Sequence, residues 1–120
     1  MIQAQNPKPY DLGERTKKFA KKIREYVKNV SKTLANIEDA KQLIKSSGSV
    51  GANFIEAEEA LSKKDFVMRI KICRKEAKES RYWVELIEIE DGQQREREGL
   101  IQEATELTKI FGSIIEKSKL

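Results

Sequence analysis

Histidine is absent from this chain of 120 residues, cysteine occurs once and proline twice. The first absence removes the Ser-His and Cys-His nucleophile systems, and with them the Glu-x-x-His pairs by which many helical bundles hold two metal ions. The lone Cys73 cannot close an internal disulfide and gives no sign of an oxidising compartment. No uninterrupted apolar run approaches the roughly 18 residues that a membrane span requires, so no membrane is expected among the partners. The opening stretch, MIQAQNPKPY, has no basic start leading into an apolar run; no signal peptide is expected, and the expected compartment is the cytoplasm.

What remains is a chain with 37% charged and 38% hydrophobic residues and six glycines, a balance that suits helices with solvated outer faces. The length allows one core and hence one domain. Pro7 and Pro9 sit in a stretch without periodicity, so residues 1–10 are expected to form a flexible arm and residues 11–120 the folded unit.

Along that unit four amphipathic segments are legible. Asp11 and Glu14 make a capping pair, after which Leu12, Phe19, Ile23, Tyr26 and Val30 recur at helical spacing, predicting a first helix over 11–30. Asn36 has the side chain of an N-cap, with Glu38 and Asp39 following where the helix dipole favours them. Beyond it Ile37, Ala40, Ile44, Gly51 and Ile55 form one stripe and Leu43, Val50, Phe54, Ala57 and Leu61 another, which predicts burial over a wide arc. Ser62 and Asp65 cap a third segment, in which Phe66, Ile70, Cys73, Ala77, Ser80, Val84 and Ile87 alternate steps of four and three. After the Asp91-Gly92 turn, Leu100, Ala104, Leu107, Phe111 and Ile114 mark a fourth helix. Short polar connections between such helices predict an all-α fold, an antiparallel up-down-up-down four-helix bundle.

The run Ser46-Ser47-Gly48-Ser49-Val50-Gly51-Ala52 is unusual inside a helix, where each glycine costs about 1 kcal/mol relative to alanine. Ser47 with Gly51 and Gly48 with Ala52 are small residues four apart, a spacing that lets a neighbouring helix come close. A phosphate-binding loop is rejected, since no glycine is followed by Lys and Ser/Thr and no strand precedes the run. Cys73 falls on the apolar seam and reads as core. Glu56, Glu58 and Glu59 remain as carboxylates, but an acidic cluster on a helix is ordinarily a solvated face. No catalytic residue, metal ligand or cofactor site is therefore assigned, and the protein is not expected to be an enzyme.

The basic residues carry more information. Residues 1–30 hold eight Lys/Arg against three Asp/Glu, and Lys17, Lys21, Arg24 and Lys28 follow steps of four, three and four. At about 100° per residue they form one stripe opposite Phe19, Ile23 and Tyr26. Lys71, Arg74, Lys78 and Arg81 repeat the pattern on the third helix. Together the two stripes could follow a phosphate backbone, or they could be a solvated surface with Glu25, Glu76, Glu79 and Glu85 as ion-pair partners. Without interleaved exposed aromatics, binding would lean on shape and charge rather than base sequence. A further stripe on the third helix, Met68, Ile72, Trp83 and Leu86, lies well over 90° from the seam, which suggests a subunit interface or a tilted helix packed between two neighbours.

The segments NIEDAKQLI, SSGSVGANFIEAEEALSKKDF and MRIKICRKEAKESRYW, with YDLGERTKKFA before them, resemble the four-helix-bundle family of bacterial 23S ribosomal RNA intervening-sequence proteins, over most of residues 10–90. The resemblance implies a homopentamer and a similarity to the accessory variability determinant of diversity-generating retroelements, a protein that partners a reverse transcriptase and binds nucleic acid through a basic surface. On this sequence the family's small-residue stretch falls on Ser46 to Asn53, its acidic segment on Glu56 to Glu59 and its basic segment on Arg69 to Arg81. The expectation is a homo-oligomeric, non-enzymatic accessory protein that binds structured RNA or an RNA-DNA hybrid. The alternative is a scaffold whose basic face docks an acidic protein. Pairing of Glu56, Arg74, Glu79 and Arg81 across the second and third helices would withdraw both arginines from such a site.

Overall fold

The computed structural model describes residues 11–119, and the expected arm at residues 1–10 lies outside them. Four helices and no strand make up the described chain: α1 (Leu12–Lys28), α2 (Leu34–Glu58), α3 (Lys63–Leu86) and α4 (Gln94–Lys117).

Local chemistry sets most of the boundaries. The Asp11 carboxylate accepts from the Glu14 N–H at 3.3 Å and starts α1, and the Ser62 hydroxyl does the same for Asp65 at 3.0 Å in α3, each satisfying an N–H that the helix leaves without an internal acceptor. The turn before α4 is made by Gly92, whose φ of 97° is a left-handed conformation that glycine adopts without steric cost. The start of α2 departs from the sequence expectation. Thr33 is the cap, accepting from the Asn36 N–H at 3.1 Å, and Asn36 itself is buried inside the helix. Its amide donates to the Ser31 carbonyl at 3.0 Å and the Glu88 carbonyl at 2.9 Å, and its oxygen accepts from the Glu88 N–H at 3.0 Å. Asn36 therefore fastens the connection before α2 to the one after α3.

Each helix packs on its neighbours in sequence, and α1 returns to α4 to close the ring. The expected apolar faces of α1, α3 and α4 fill the centre, with Ile23, Tyr26, Ile70, Cys73, Val84, Leu107 and Phe111 fully buried. Tyr26 reaches across the core and donates its hydroxyl to the Val84 carbonyl at 3.5 Å. At the end of α4 it is Ile115 that is buried, with Ile114 packed at the margin. The second helix is buried over a narrower arc than its composition suggested: Leu43, Val50 and Ala57 are in the core, whereas Ile37, Ile55 and Leu61 are 39%, 58% and 97% exposed. Two neighbours cover only the inward sector of a helix in a ring of four, so Ile37 and Ile55 at the two ends of the first stripe fall outside it, and Leu61 of the second stripe lies beyond the end of α2.

Candidate nucleic-acid interface

The steps of four, three and four place Lys17, Lys21, Arg24 and Lys28 on the outer side of α1, and all four are exposed. Lys17 and Lys21, with Lys18 and Lys22, border a groove of about 980 Å³ between α1 and α4. The groove exists because these two helices approach each other least closely of the neighbouring pairs. Its walls hold five cations and also five carboxylates, Asp11, Glu14, Glu25, Glu96 and Glu103 among the lining residues, so its fixed charges balance.

Arg15 bridges the groove. Its Nε and Nη2 donate to the two oxygens of Glu103 at 2.7 and 2.8 Å, and Nη2 also donates to Glu106 at 2.8 Å. The paired hydrogen bonds it donates to Glu103 hold the guanidinium in its charged form more firmly than usual. Donation from the Gln102 amide and from Arg15 keeps the Glu106 carboxyl below its ordinary range. Elsewhere on the stripe, Arg24 donates to the Ala20 carbonyl at 3.1 Å and lies beside Gly48, and Lys28 pairs with Glu25 at 3.0 Å.

The α3 stripe turns toward α4. Lys71 and Lys78 are exposed; Arg74 is half-buried, with its side chain against Gly112. Arg81 donates from Nη1 to the Thr105 hydroxyl at 2.9 Å and from Nε to Glu85 at 3.3 Å. The suggested pairing of Glu56, Arg74, Glu79 and Arg81 across α2 and α3 is thus corrected. Both arginines lie on the side of α3 that faces α4, and Glu79 accepts instead from the Trp83 indole N–H at 3.2 Å. Arg69, at the start of the basic segment, donates to the Asn53 side chain of α2 at 3.0 Å. Nor do the two stripes merge, because α1 and α3 stand at opposite corners of the ring with no backbone approach among the described residues.

In the small-residue run, Ser47 is buried, and a Cβ on Gly51 would come within 3.0 Å of the Thr16 hydroxyl, so α1 crosses α2 closely there. Gly48 is half-buried; Ala52 is exposed and outside that contact. The Ser46 and Ser80 hydroxyls meet at 2.9 Å between α2 and α3. Along the second apolar stripe of α3, Met68 and Leu86 are 48% and 41% exposed, with Ile72 and Trp83 half-buried. Cys73 is buried with its Sγ 3.4 Å from the Val50 carbonyl, and burial pushes its thiol up to about 12, which keeps it from being a nucleophile near neutral pH. No group of three acidic or cysteine side chains gathers to hold a metal ion among the described residues. No helix among them is long and apolar enough to cross a membrane.

Four side chains that sequence reasoning passed over join the α3 stripe. Lys109, Thr105 and Thr108 come from α4, and Tyr82 is 56% exposed beside Lys78 and Arg81. Tyr82 could have been found by its position between the basic stripe and the second apolar stripe. Lys109 could not, since only the packing of α4 on α3 brings it there.

An all-helical ring of four with basic outer faces defines the class of protein. This chain belongs to the 23S rRNA-intervening sequence protein family, whose sequence profile matches residues 9–113. A crystal structure of a protein of unknown function from the S23 ribosomal protein family, from Bacteroides thetaiotaomicron VPI-5482, is 33% identical to it. The match covers 86% of this chain and 96% of that one, with a TM-score of 0.69. No curated protein matches this sequence.

Proposed function

We propose that this protein is a homo-oligomeric, non-enzymatic accessory factor of the cytoplasm that binds structured RNA or an RNA-DNA hybrid through the basic faces of α1 and α3. Its bundle is antiparallel, up-down-up-down, and five copies assemble. The antiparallel reading is supported by contacts whose numbers run in opposite senses: Ser46 with Ser80 and Val50 with Cys73 between α2 and α3, Arg81 with Thr105 and Arg74 with Gly112 between α3 and α4. Assembly is supported by Met68 and Leu86, apolar side chains left nearly half exposed beside Ile72 and Trp83.

The observation that carries the nucleic-acid reading is a set of four exposed lysines, Lys17, Lys21, Lys71 and Lys78, none of which has a carboxylate within ion-pair distance among the described residues. Ammonium groups held in rows without a carboxylate paired to them are free to replace the counterions of a phosphate backbone. The test is fluorescence anisotropy with a labelled structured RNA, a DNA duplex and an RNA-DNA hybrid. About six phosphate contacts would weaken binding by roughly 10³-fold between about 50 and 200 mM salt. Replacing Lys17, Lys21, Arg24 and Lys28 by Gln is expected to flatten that dependence. No binding to any of the three at low salt overturns the reading and turns the search to an acidic protein partner, such as a reverse transcriptase.

A further inference from the structure

Between α3 and α4 lies a second cleft, about 420 Å³ in volume, whose charge differs from that of the larger groove. Lys78, Arg81 and Lys109 face it with Glu85 as their one carboxylate, and Thr105 and Thr108 line its α4 wall. Arg81 is held in place there. The Thr105 hydroxyl spends its hydrogen on the Ile101 carbonyl at 2.8 Å, so it accepts from Arg81 on its other side, while Glu85 takes the Nε hydrogen. A guanidinium has five N–H donors, and these two contacts leave three for a ligand. Lys78 and Lys109 are exposed and make no ion pair among the described residues.

The same cleft has an aromatic edge. Tyr82 is 56% exposed, and its ring is braced edge-on against Trp83 with the centroids 5.0 Å apart and the planes at 72°. Trp83 is in turn tied to Glu79 by its indole N–H. An accessible ring beside an excess of cations is the arrangement that proteins use to hold single strands, in which every base has a face free to stack. A duplex keeps its base faces covered along its length. Among the described residues the stripe on α1 has no such partner, because Phe19 and Tyr26 are buried in the core.

We infer that the α3–α4 cleft is a subsite for one nucleotide of a single strand, with the phosphate on Lys78, Arg81 and Lys109 and the base stacked on Tyr82. This rests on the nucleic-acid reading above and deepens it, giving the protein a place for an unpaired loop or end next to a structured segment. The stacking face and the phosphate are common to RNA and DNA, so either strand meets the chemistry of the cleft.

The test uses the full chain and Tyr82→Leu, which keeps an apolar side chain at an exposed position. Binding is measured with single-stranded RNA, single-stranded DNA, duplex RNA and inorganic polyphosphate. Tyr82→Leu is expected to weaken single-strand binding roughly fivefold or more and to leave duplex and polyphosphate binding unchanged. Emission from Trp83, the chain's one tryptophan, is expected to fall when a single strand is added to the unaltered protein and not when polyphosphate is added. Lys109→Gln, which lies outside both sequence stripes, is expected to weaken all four ligands and lower the salt slope by about one. A loss seen with the RNA strand alone, or the DNA strand alone, assigns the subsite to that strand. If the unaltered protein binds single strands and Tyr82→Leu binds them as well, or if duplex affinity falls equally, the subsite is overturned while the nucleic-acid reading stands. If the unaltered protein binds none of the four, both are overturned.

Discussion

The α2–α3 and α1–α4 seams belong to the same ring and are closed by different chemistry. Along the first, small side chains let the helices meet, with the Ser46 and Ser80 hydroxyls in contact, Cys73 against the Val50 carbonyl, and Asn36 fastening the far end to Glu88. Along the second, the helices stand apart over a groove of about 980 Å³ and Arg15 reaches across to Glu103 and Glu106. Buried polar contacts are worth little net but cost a great deal when half of the pair is removed, whereas partly exposed ion pairs are weak and screened. One seam should therefore answer to burial and alkali, the other to salt and acid.

That contrast breaks hardest at Asn36. Asn36→Ala leaves the Ser31 and Glu88 carbonyls and the Glu88 N–H without their partner, and a loss of about 3 kcal/mol in urea unfolding is expected. A loss under 1 kcal/mol would show that water satisfies those groups. Alkali sharpens the same side. The Cys73 thiol, ordinarily near 9.0, is pushed up to about 12 by burial, so between those values the folded chain keeps a proton that the unfolded chain releases. Its contribution to stability is complete below pH 9 and declines as pH rises, by on the order of 1 kcal/mol at pH 10. In Cys73→Ala the urea midpoint should stay level further into alkali, until Tyr26, raised by burial from 10.0 to about 12, brings its own decline. An unchanged pH profile in that variant would remove the thiol from the account.

The smallest effect belongs to the open seam. Arg15→Gln is expected to cost about 1 kcal/mol, a figure already reduced for the solvent that reaches the Glu103 pair, and the cost should shrink in about 1 M salt. Because Glu106 is held below its ordinary range, its contribution is present above that range and is lost as pH falls below it, through the lower value of the folded state. Arg15→Gln should flatten this acid slope and leave the alkaline one untouched, as urea midpoints at low and high pH would show.

Much of the architecture is legible in the sequence. The α3 seam from Ile70 to Ile87 is buried along its length, and the caps at Asp11 and Ser62 are where their spacing put them. Asn36 misled because a buried clamp and a helix cap use the same side chain, and only the position of Glu88, 52 residues on, separates the two roles. The stripe of Ile37 and Ile55 misled because periodicity reports that a face is apolar, not that a neighbour covers it. The candidate interface was legible as rows of charge on single helices. Its reorganisation was not: Lys109 joins Lys78 and Arg81 from another helix, and Glu96 and Glu103 of α4 join Asp11, Glu14 and Glu25 to balance the cations that line the larger groove.

The sequence by itself determined four amphipathic helices, the caps at Asp11 and Ser62, the turn before the fourth helix and the two basic rows, because each of these depends on residues a few positions apart. Tertiary structure alone decided that α1 and α3 stand at opposite corners, that Arg74 and Arg81 turn to α4, and that one cleft carries balanced charge while the other has an excess of cations beside Tyr82. The physical reason is range. Caps and periodicity are settled by hydrogen bonds and side-chain directions within one or two turns, whereas a long charged side chain takes its partner from whichever helix the core packing sets beside it.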